Sequence, residues 1–222
     1  MTVIKQLWRN NPFFYRLFAG FIITGAFLLL VFEQGDEILY INQRRSAFGD
    51  VFFKFATQLG EAVVYFPVLF LLLFVKYRHA VTLPLLGLTV TIVSYVSKAL
   101  FSHDRPLAFF RKSGLLDQLN PIDGVAMHGG ATSFPSGHTM SAFALFAFLA
   151  FSLPYKRSVG VLLFTTALLV GLSRIYLLQH FLKDVYLGAL MGVAIAVFWY
   201  LSADRYFTSP RLNGSLSLKK QV

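Results

Sequence analysis

No cysteine occurs among the 222 residues of the chain. Disulfide staples, thiolate nucleophiles and thiolate metal ligands are therefore excluded. Charge is scarce as well: Asp, Glu, Lys and Arg make up 14% of the sequence, where a soluble domain carries about a quarter. Acids are the scarcer sign, ten against 20 bases, so the formal net charge is +10. No repeat of regular period and no low-complexity linker interrupts the chain, which excludes solenoids and tethered modules. We read residues 1–222 as a single domain. The spacing of His and acidic residues matches no metal site, so no metal or cofactor is expected. A basic chain invites a nucleic-acid reading, but no basic face or aromatic base-reading module is visible, and no nucleic-acid partner is expected.

Apolar residues are what the chain has in plenty, at 56%. Six uncharged stretches stand out, at 17–32, 62–75, 80–97, 139–155, 158–173 and 185–203. Each approaches the roughly 20 residues a helix needs to cross a bilayer, and several reach that length only by running on into flanking charges. One such stretch would fit a buried helix of a soluble protein; six together predict an all-α, polytopic membrane bundle with six transmembrane helices. We read the first stretch as an uncleaved first span. Its apolar run is long, its lead-in carries Lys5, Arg9 and Arg16, and no small-x-small cleavage site precedes Glu33.

Charge sets the orientation. With the N-terminus in the cytoplasm and six spans, the inner positive residues are Lys5, Arg9, Arg16, Lys76, Arg78, Lys156, Arg157, Arg205, Arg211, Lys219 and Lys220, while Asp204 is the sole inner acid. This bias predicts both termini inside. Residues 33–60 then form an outer loop in which Phe48, Val51, Phe52 and Phe55 recur at helical spacing, as in a helix lying at the membrane interface or packing on the bundle. The longest outer loop is 99–134; tight inner turns fall at 76–79 and 154–157. His79 is expected at the inner surface, and the polar tail 204–222 is expected to be flexible.

Chemistry gathers at the edges of the apolar stretches. His180 and Asp184 are spaced i, i+4, so one helix would put them on one face. A carboxylate that accepts one ring N–H fixes the tautomer and raises the basicity of the other nitrogen, which suits a nucleophile. Pro135-Ser136-Gly137-His138 opens an apolar stretch. Proline suits a first helical turn, serine caps, glycine admits an anion to the backbone, and a helix start attracts phosphate. His138 is then placed to protonate a leaving oxygen. Lys98, Arg105 and Arg174 supply cations, and positive charge near hydrocarbon is costly enough to imply a task. Singly, each fragment has a bland explanation: a structural cap, an interfacial histidine, cations snorkelling to headgroups. Hydropathy alone, however, places all of them on the outer face. Glu61, His103, Asp104 and His128 are lesser polar residues near this set.

The order and spacing of these residues resemble the type 2 phosphatidic acid phosphatase superfamily, whose signature is Lys-x6-Arg-Pro, Pro-Ser-Gly-His and Ser-Arg-x5-His-x3-Asp. The match is complete, at Lys98 with Arg105-Pro106, Pro135 to His138, and Ser173-Arg174 with His180 and Asp184; it covers residues 98–184. The resemblance implies an integral-membrane, metal-independent lipid phosphatase of the bacterial inner membrane, with its site on the periplasmic or extracellular face. His180 would be the nucleophile that becomes phospho-histidine, Asp184 its partner and His138 the acid. Lys98, Arg105, Ser136, Gly137 and Arg174 would bind phosphate. Implied partners are the bilayer and a membrane lipid phosphate: undecaprenyl diphosphate, phosphatidylglycerophosphate or phosphatidate. A lipid A phosphatase, a lipid phosphotransferase, and a lipid-binding or transport protein with a degenerate site are the alternatives. The superfamily's anion pocket is also similar to that of vanadium haloperoxidases, soluble oxidoreductases that this hydropathy argues against.

Overall fold

The computed structural model describes residues 11–153 and 157–216. Lys5, Arg9, Lys156, Lys219 and Lys220, and most of the inner turn at 154–157, lie outside the described residues. Every regular element among the described residues is helical. In chain order these are α1 (Pro12–Val31), α2 (Asp36–Asn42), α3 (Ala47–Gln58), α4 (Tyr65–Leu73), α5 (Tyr77–Phe101), α6 (Pro106–Lys112), α7 (Gly137–Ser152), α8 (Arg157–Tyr176) and α9 (Leu182–Tyr206).

Four segments are long and apolar enough to cross a membrane: α1, the stretch Tyr77–Lys112 that contains α5, α8 and α9. A fifth arises if Ala47–Gln58 and Ala62–Leu73, bent by 60° across a short break, count as one span. Helix α7 is shorter than these. The expected second stretch thus forms the far arm of a bent pair, and the amphipathic segment predicted at the interface is its near arm. Gly60 lies at the break. A Cβ there would come within 2.7 Å of Val170 and 2.9 Å of the His138 carbonyl oxygen, so only glycine lets this bend seat against α7 and α8.

Helix α7 is the axis of the bundle. From Thr139 to Ser152 all but Ser141 are buried, as expected of a helix apolar on every side. It packs chiefly on α9 and α8, with α5 flanking. Close approach to α9 rests on small residues: a Cβ on Gly188 would lie 2.7 Å from the Ser136 carbonyl oxygen, and Gly192 faces Met140 and Ala144 with similar closeness. Such small-xxx-small faces let helix backbones touch where no hydrophobic effect drives helices together. The outer helices carry large apolar side chains outward, among them Ile23, Leu30, Phe66 and Tyr95. Phe48, Val51, Phe52 and Phe55 of α3 are exposed too. Exposed apolar surface on this scale marks contact with lipid or another apolar partner.

Two expectations change at the inner end. His79 is not at the surface: it is 4% exposed, held between Phe148 and Tyr200, because α5 turns it toward α7 and α9. Nor is the described part of the tail loose. Helix α9 runs to Tyr206, and beyond it Gly214 O accepts from Tyr77 N at 2.9 Å while Leu216 N donates to Leu73 O at 2.8 Å. Asp204 pairs with Arg78 at 2.8 Å. Backbone hydrogen bonds, which composition does not reveal, pin this segment to the α4–α5 junction.

Candidate active site

The end of α5, the start of α7, the end of α8 and the start of α9 share the other end of the bundle. Residues of the three sequence fragments meet there. The His180–Asp184 pair forms, but not as two residues of one helix. Helix α9 starts at Leu182 with Phe181 as its N-cap, so His180 lies ahead of it, in a turn. Leu178 adopts a positive φ of 58° there, and the amides of Gln179 and His180 both donate to Arg174 O, at 2.9 and 3.1 Å. The turn therefore ties His180 directly to the end of α8. Asp184, in the first turn of α9, accepts from Phe181 N at 2.9 Å, a favourable place for negative charge. Its Oδ2 is 3.3 Å from His180 Nδ1. With Nδ1 engaged, Nε2 is left without a hydrogen-bond partner among the described residues. Burial holds the His180 ring down to about 4, against an upward pull from Asp184, so the ring is neutral near pH 7 and its free nitrogen keeps a lone pair.

Ser133 joins this pair and was not singled out from the sequence. It is fully buried; its Oγ donates to Asp184 Oδ2 at 2.5 Å and lies 3.5 Å from His180 Nδ1. Its own amide donates to His103 O at 3.0 Å. No spacing rule links a loop serine to an aspartate 51 residues later, so the sequence carries no signal for it beyond its place two residues before Pro135.

At the start of α7 the structure refines the expected roles. Pro135 lies outside the helix; Ser136 is the N-cap and Gly137 the first helical residue. Ser136 Oγ accepts from Thr139 N at 3.4 Å and Thr139 Oγ1 at 2.9 Å, and its amide donates to Asp184 O at 3.0 Å. Ser136 is thus committed to the scaffold. The amides of Gly137 and His138 have no helical partner at this position and remain for an anion. A Cβ on Gly137 would lie 3.7 Å from Lys98 Nζ, which puts this cation at the helix start.

Arg105 is the N-cap residue of α6; its amide donates to Gly130 O at 2.8 Å and its Nε to Thr132 Oγ1 at 3.2 Å. Arg174 is 8% exposed, with Nη1 donating to Thr57 Oγ1 at 2.6 Å and a buried Nε that has no partner. Lys98, Arg105 and Arg174 lie within electrostatic reach of one another, and His138 within reach of all three and of His180. Three crowded cations repel unless an anion joins them, which is the usual signature of a functional cluster. Of the lesser residues, Asp104 pairs with Lys112 at 2.6 Å, and His103 contributes its carbonyl to Ser133. Glu61 and His128 line cavities.

Two cavities meet at the site. An apolar groove of about 840 Å³ runs between α4 and α5, with Lys98, Gly137 and His138 at its polar end. A polar chamber of about 500 Å³ is bounded by Lys54, Thr57, His128, Arg174 and Gln179. His138 and Glu61 line both. Among the described residues no group of three or more His, Cys, Asp or Glu side chains could hold a metal ion.

Residues 79–207 match the family model of the PAP2 superfamily. The chain belongs to that superfamily. Among curated relatives, phosphatidylglycerophosphatase B of Bacillus subtilis is 32% identical over 88 residues, covering 36% of this chain and 43% of that protein. The probable diacylglycerol pyrophosphate phosphatase 1 of Schizosaccharomyces pombe is 32% identical over 173 residues, covering 64% and 62%. The alignments thus span less than two thirds of these relatives. Among solved structures, LpxE of Aquifex aeolicus superposes with a TM-score of 0.62 at 31% identity, covering 75% of this chain and 93% of that one. Lys98, Arg105, Ser136, Gly137, His138, Arg174, His180 and Asp184 all lie within the matched region, whereas Lys54, Thr57 and Glu61 of the cavity walls precede it.

Proposed function

We propose that the protein is an integral-membrane lipid phosphatase that releases phosphate from a membrane lipid through a phospho-histidine intermediate. The observation that carries this reading is the His180–Asp184 pair: a buried neutral ring, fixed through Nδ1, with its other nitrogen free beside a cluster of cations. His180 Nε2 attacks phosphorus as the bond to the lipid oxygen breaks, and His138 gives that oxygen its proton. Water then loses a proton to His138 and attacks phosphorus, the P–N bond breaks, and inorganic phosphate departs. Lys98, Arg105, Arg174 and the amides of Gly137 and His138 hold the equatorial oxygens, where charge develops. Asp184 offsets the charge that the ring gains on phosphorylation.

The apolar groove ending at His138 suits alkyl chains arriving from the bilayer. Six spans, with α7 as a short one and the bent pair as another, would leave both termini on one side; the Lys and Arg bias supports the cytoplasm as that side, with the site on the opposite face of a bacterial inner membrane. Substrates of this form are undecaprenyl diphosphate, phosphatidylglycerophosphate and phosphatidate, and the names of the two curated relatives fall in the same class.

The test is phosphate release by the detergent-purified protein in EDTA across these lipids, with His180→Ala alongside. Release in the parent protein and its loss in the variant are expected. Undiminished release by the variant would sink the mechanism, and lipid binding without turnover in the parent would point to a transport or binding protein.

A further inference from the structure

Helix α3 turns one face to the site and the other outward. On the inner face Gly49, Phe53 and Thr57 recur at four-residue steps, one above the other. A Cβ on Gly49 would lie 2.5 Å from the Tyr176 hydroxyl oxygen, and the ring centroids of Phe53 and Tyr176 are 4.4 Å apart. The Tyr176 hydroxyl donates to Asp50 Oδ1 at 2.9 Å. One turn beyond Phe53, Thr57 Oγ1 accepts from Arg174 Nη1 at 2.6 Å. The inner face of α3 thus grips the end of α8 and braces one of the three site cations. The outer face is apolar, and it does not stop where the helix stops. Phe52, Phe55, Leu59, Val63, Phe66 and Phe70 follow one another at steps of three and four residues, each more than a third exposed. Phe48, 78% exposed, extends the stripe to the start of α3.

This stripe passes through the break at Gly60 and continues down α4, although the two arms are bent by 60°. On α4, the far arm of the bent span, it faces hydrocarbon, so the medium that wets α4 is continuous with the one that meets α3. An unbroken stripe across such a bend suits a fluid that follows its contour, whereas a second copy of the chain would have to carry a matching bend. The bend also tips α3 toward the membrane plane. That is the attitude of interfacial amphipathic helices, whose apolar faces sink about 5–10 Å into the boundary between headgroups and acyl chains. Arg44, exposed just ahead of α3, adds a cation for headgroup phosphates. We propose that the outer face of α3 docks in the headgroup boundary of the leaflet on the site's side, and that this docking keeps Thr57 on Arg174. Thr57 is then a positioning residue that acts through the guanidinium. The bilayer itself takes part in building the phosphate site. The effect on turnover rests on the lipid phosphatase reading above; the docking does not.

The test uses the full chain in nanodiscs of phosphatidylethanolamine and phosphatidylglycerol. Phe52→Cys and Phe55→Cys, in a chain without native cysteine, each carry one nitroxide. Phe66→Cys serves as the hydrocarbon reference and Asp117→Cys as the water reference. Nitroxides at 52 and 55 are expected to collide more with oxygen than with a water-soluble nickel chelate, at depths between the two references. Nickel access equal to that at 117 overturns the docking, and so does shielding from both reagents, which would put a protein there. The link to the site is read from phosphate release, on whichever of the three lipids the parent protein cleaves. Thr57→Val should raise KM by roughly tenfold, with kcat less affected, and Thr57→Ser should restore it. The triple variant Phe48→Ser, Phe52→Ser, Phe55→Ser should raise KM similarly in the parent background and add little to Thr57→Val. A triple variant with unchanged KM, or penalties that add in full, overturns the link. Absence of release from all three lipids by the parent protein would instead bring down the lipid phosphatase reading, and the nitroxide depths would still decide the docking.

Discussion

One oxygen of Asp184 takes three contacts, from Ser133 Oγ, Phe181 N and His180 Nδ1, while the other has no partner. Such crowding orients the carboxylate toward the imidazole. Loss of the Ser133 hydroxyl removes a bond to a charged group, worth about 1.5–3 kcal/mol. Ser133→Ala should therefore lower kcat by about 10- to 100-fold with little change in KM, and Ser133→Thr should retain most of the rate. The check is the burst of His180 phosphorylation in rapid-quench experiments; an unaltered burst would leave Ser133 a purely structural residue. His180 also links stability to pH. Its ring is held at about 4 in the folded protein, below the ordinary 6.5, so between these values the unfolded chain binds a proton that the folded one does not. This contribution is complete above about pH 6.5 and disappears as acid approaches pH 4. The thermal midpoint in detergent should fall across that window and fall less steeply in His180→Gln; equal slopes would mean that the ring titrates normally. At this scale His180, Asp184, His138 and the three cations were legible because each stands at a fixed spacing inside a fragment. Ser133 was not, since its role arises from a contact across the fold.

Among the helices, the α7–α9 contact places the phosphate loop. Gly188 approaches the Ser136 carbonyl so closely that a methyl group must push the start of α7 away from α9. Gly188→Ala is expected to cost about 1–3 kcal/mol, as overpacked cores do, and to reduce turnover further by displacing the amides of Gly137 and His138. Gly20→Ala, where a Cβ would meet nothing within 4 Å, should be neutral or slightly stabilising through helix propensity. Thermal unfolding and phosphate release on the two variants decide the matter, and equal behaviour would show that the contact relaxes freely. Apolar runs disclosed the long helices α1, α5, α8 and α9 readily. The i, i+4 spacing put His180 on one helix with Asp184, whereas the positive-φ turn at Leu178, which spacing does not reveal, holds it ahead of α9. The bend between α3 and α4 also escaped, since it depends on Gly60 meeting Val170 and His138 from distant parts of the chain.

For the whole molecule, hydropathy counts apolar residues but does not say what they face. Helix α7 and the outward side chains of α1 and α5 read alike in sequence, yet the first is the buried axis and the others are the surface. Orientation depends on a different signal, the distribution of Lys and Arg, and it can be probed cleanly because the chain has no cysteine. Asp117 is exposed between α6 and α7, at the end of the bundle that holds the site; Arg211 is exposed beyond α9, at the end where Tyr77 bonds Gly214. Each position changed to cysteine carries the molecule's sole thiol. If the site faces away from the cytoplasm, an impermeant maleimide should label Asp117→Cys in cells with an intact inner membrane and Arg211→Cys only after permeabilisation. The reverse pattern would put the cations and His180 in the cytoplasm, where the positive-inside bias would have to be overridden by the site's own charges.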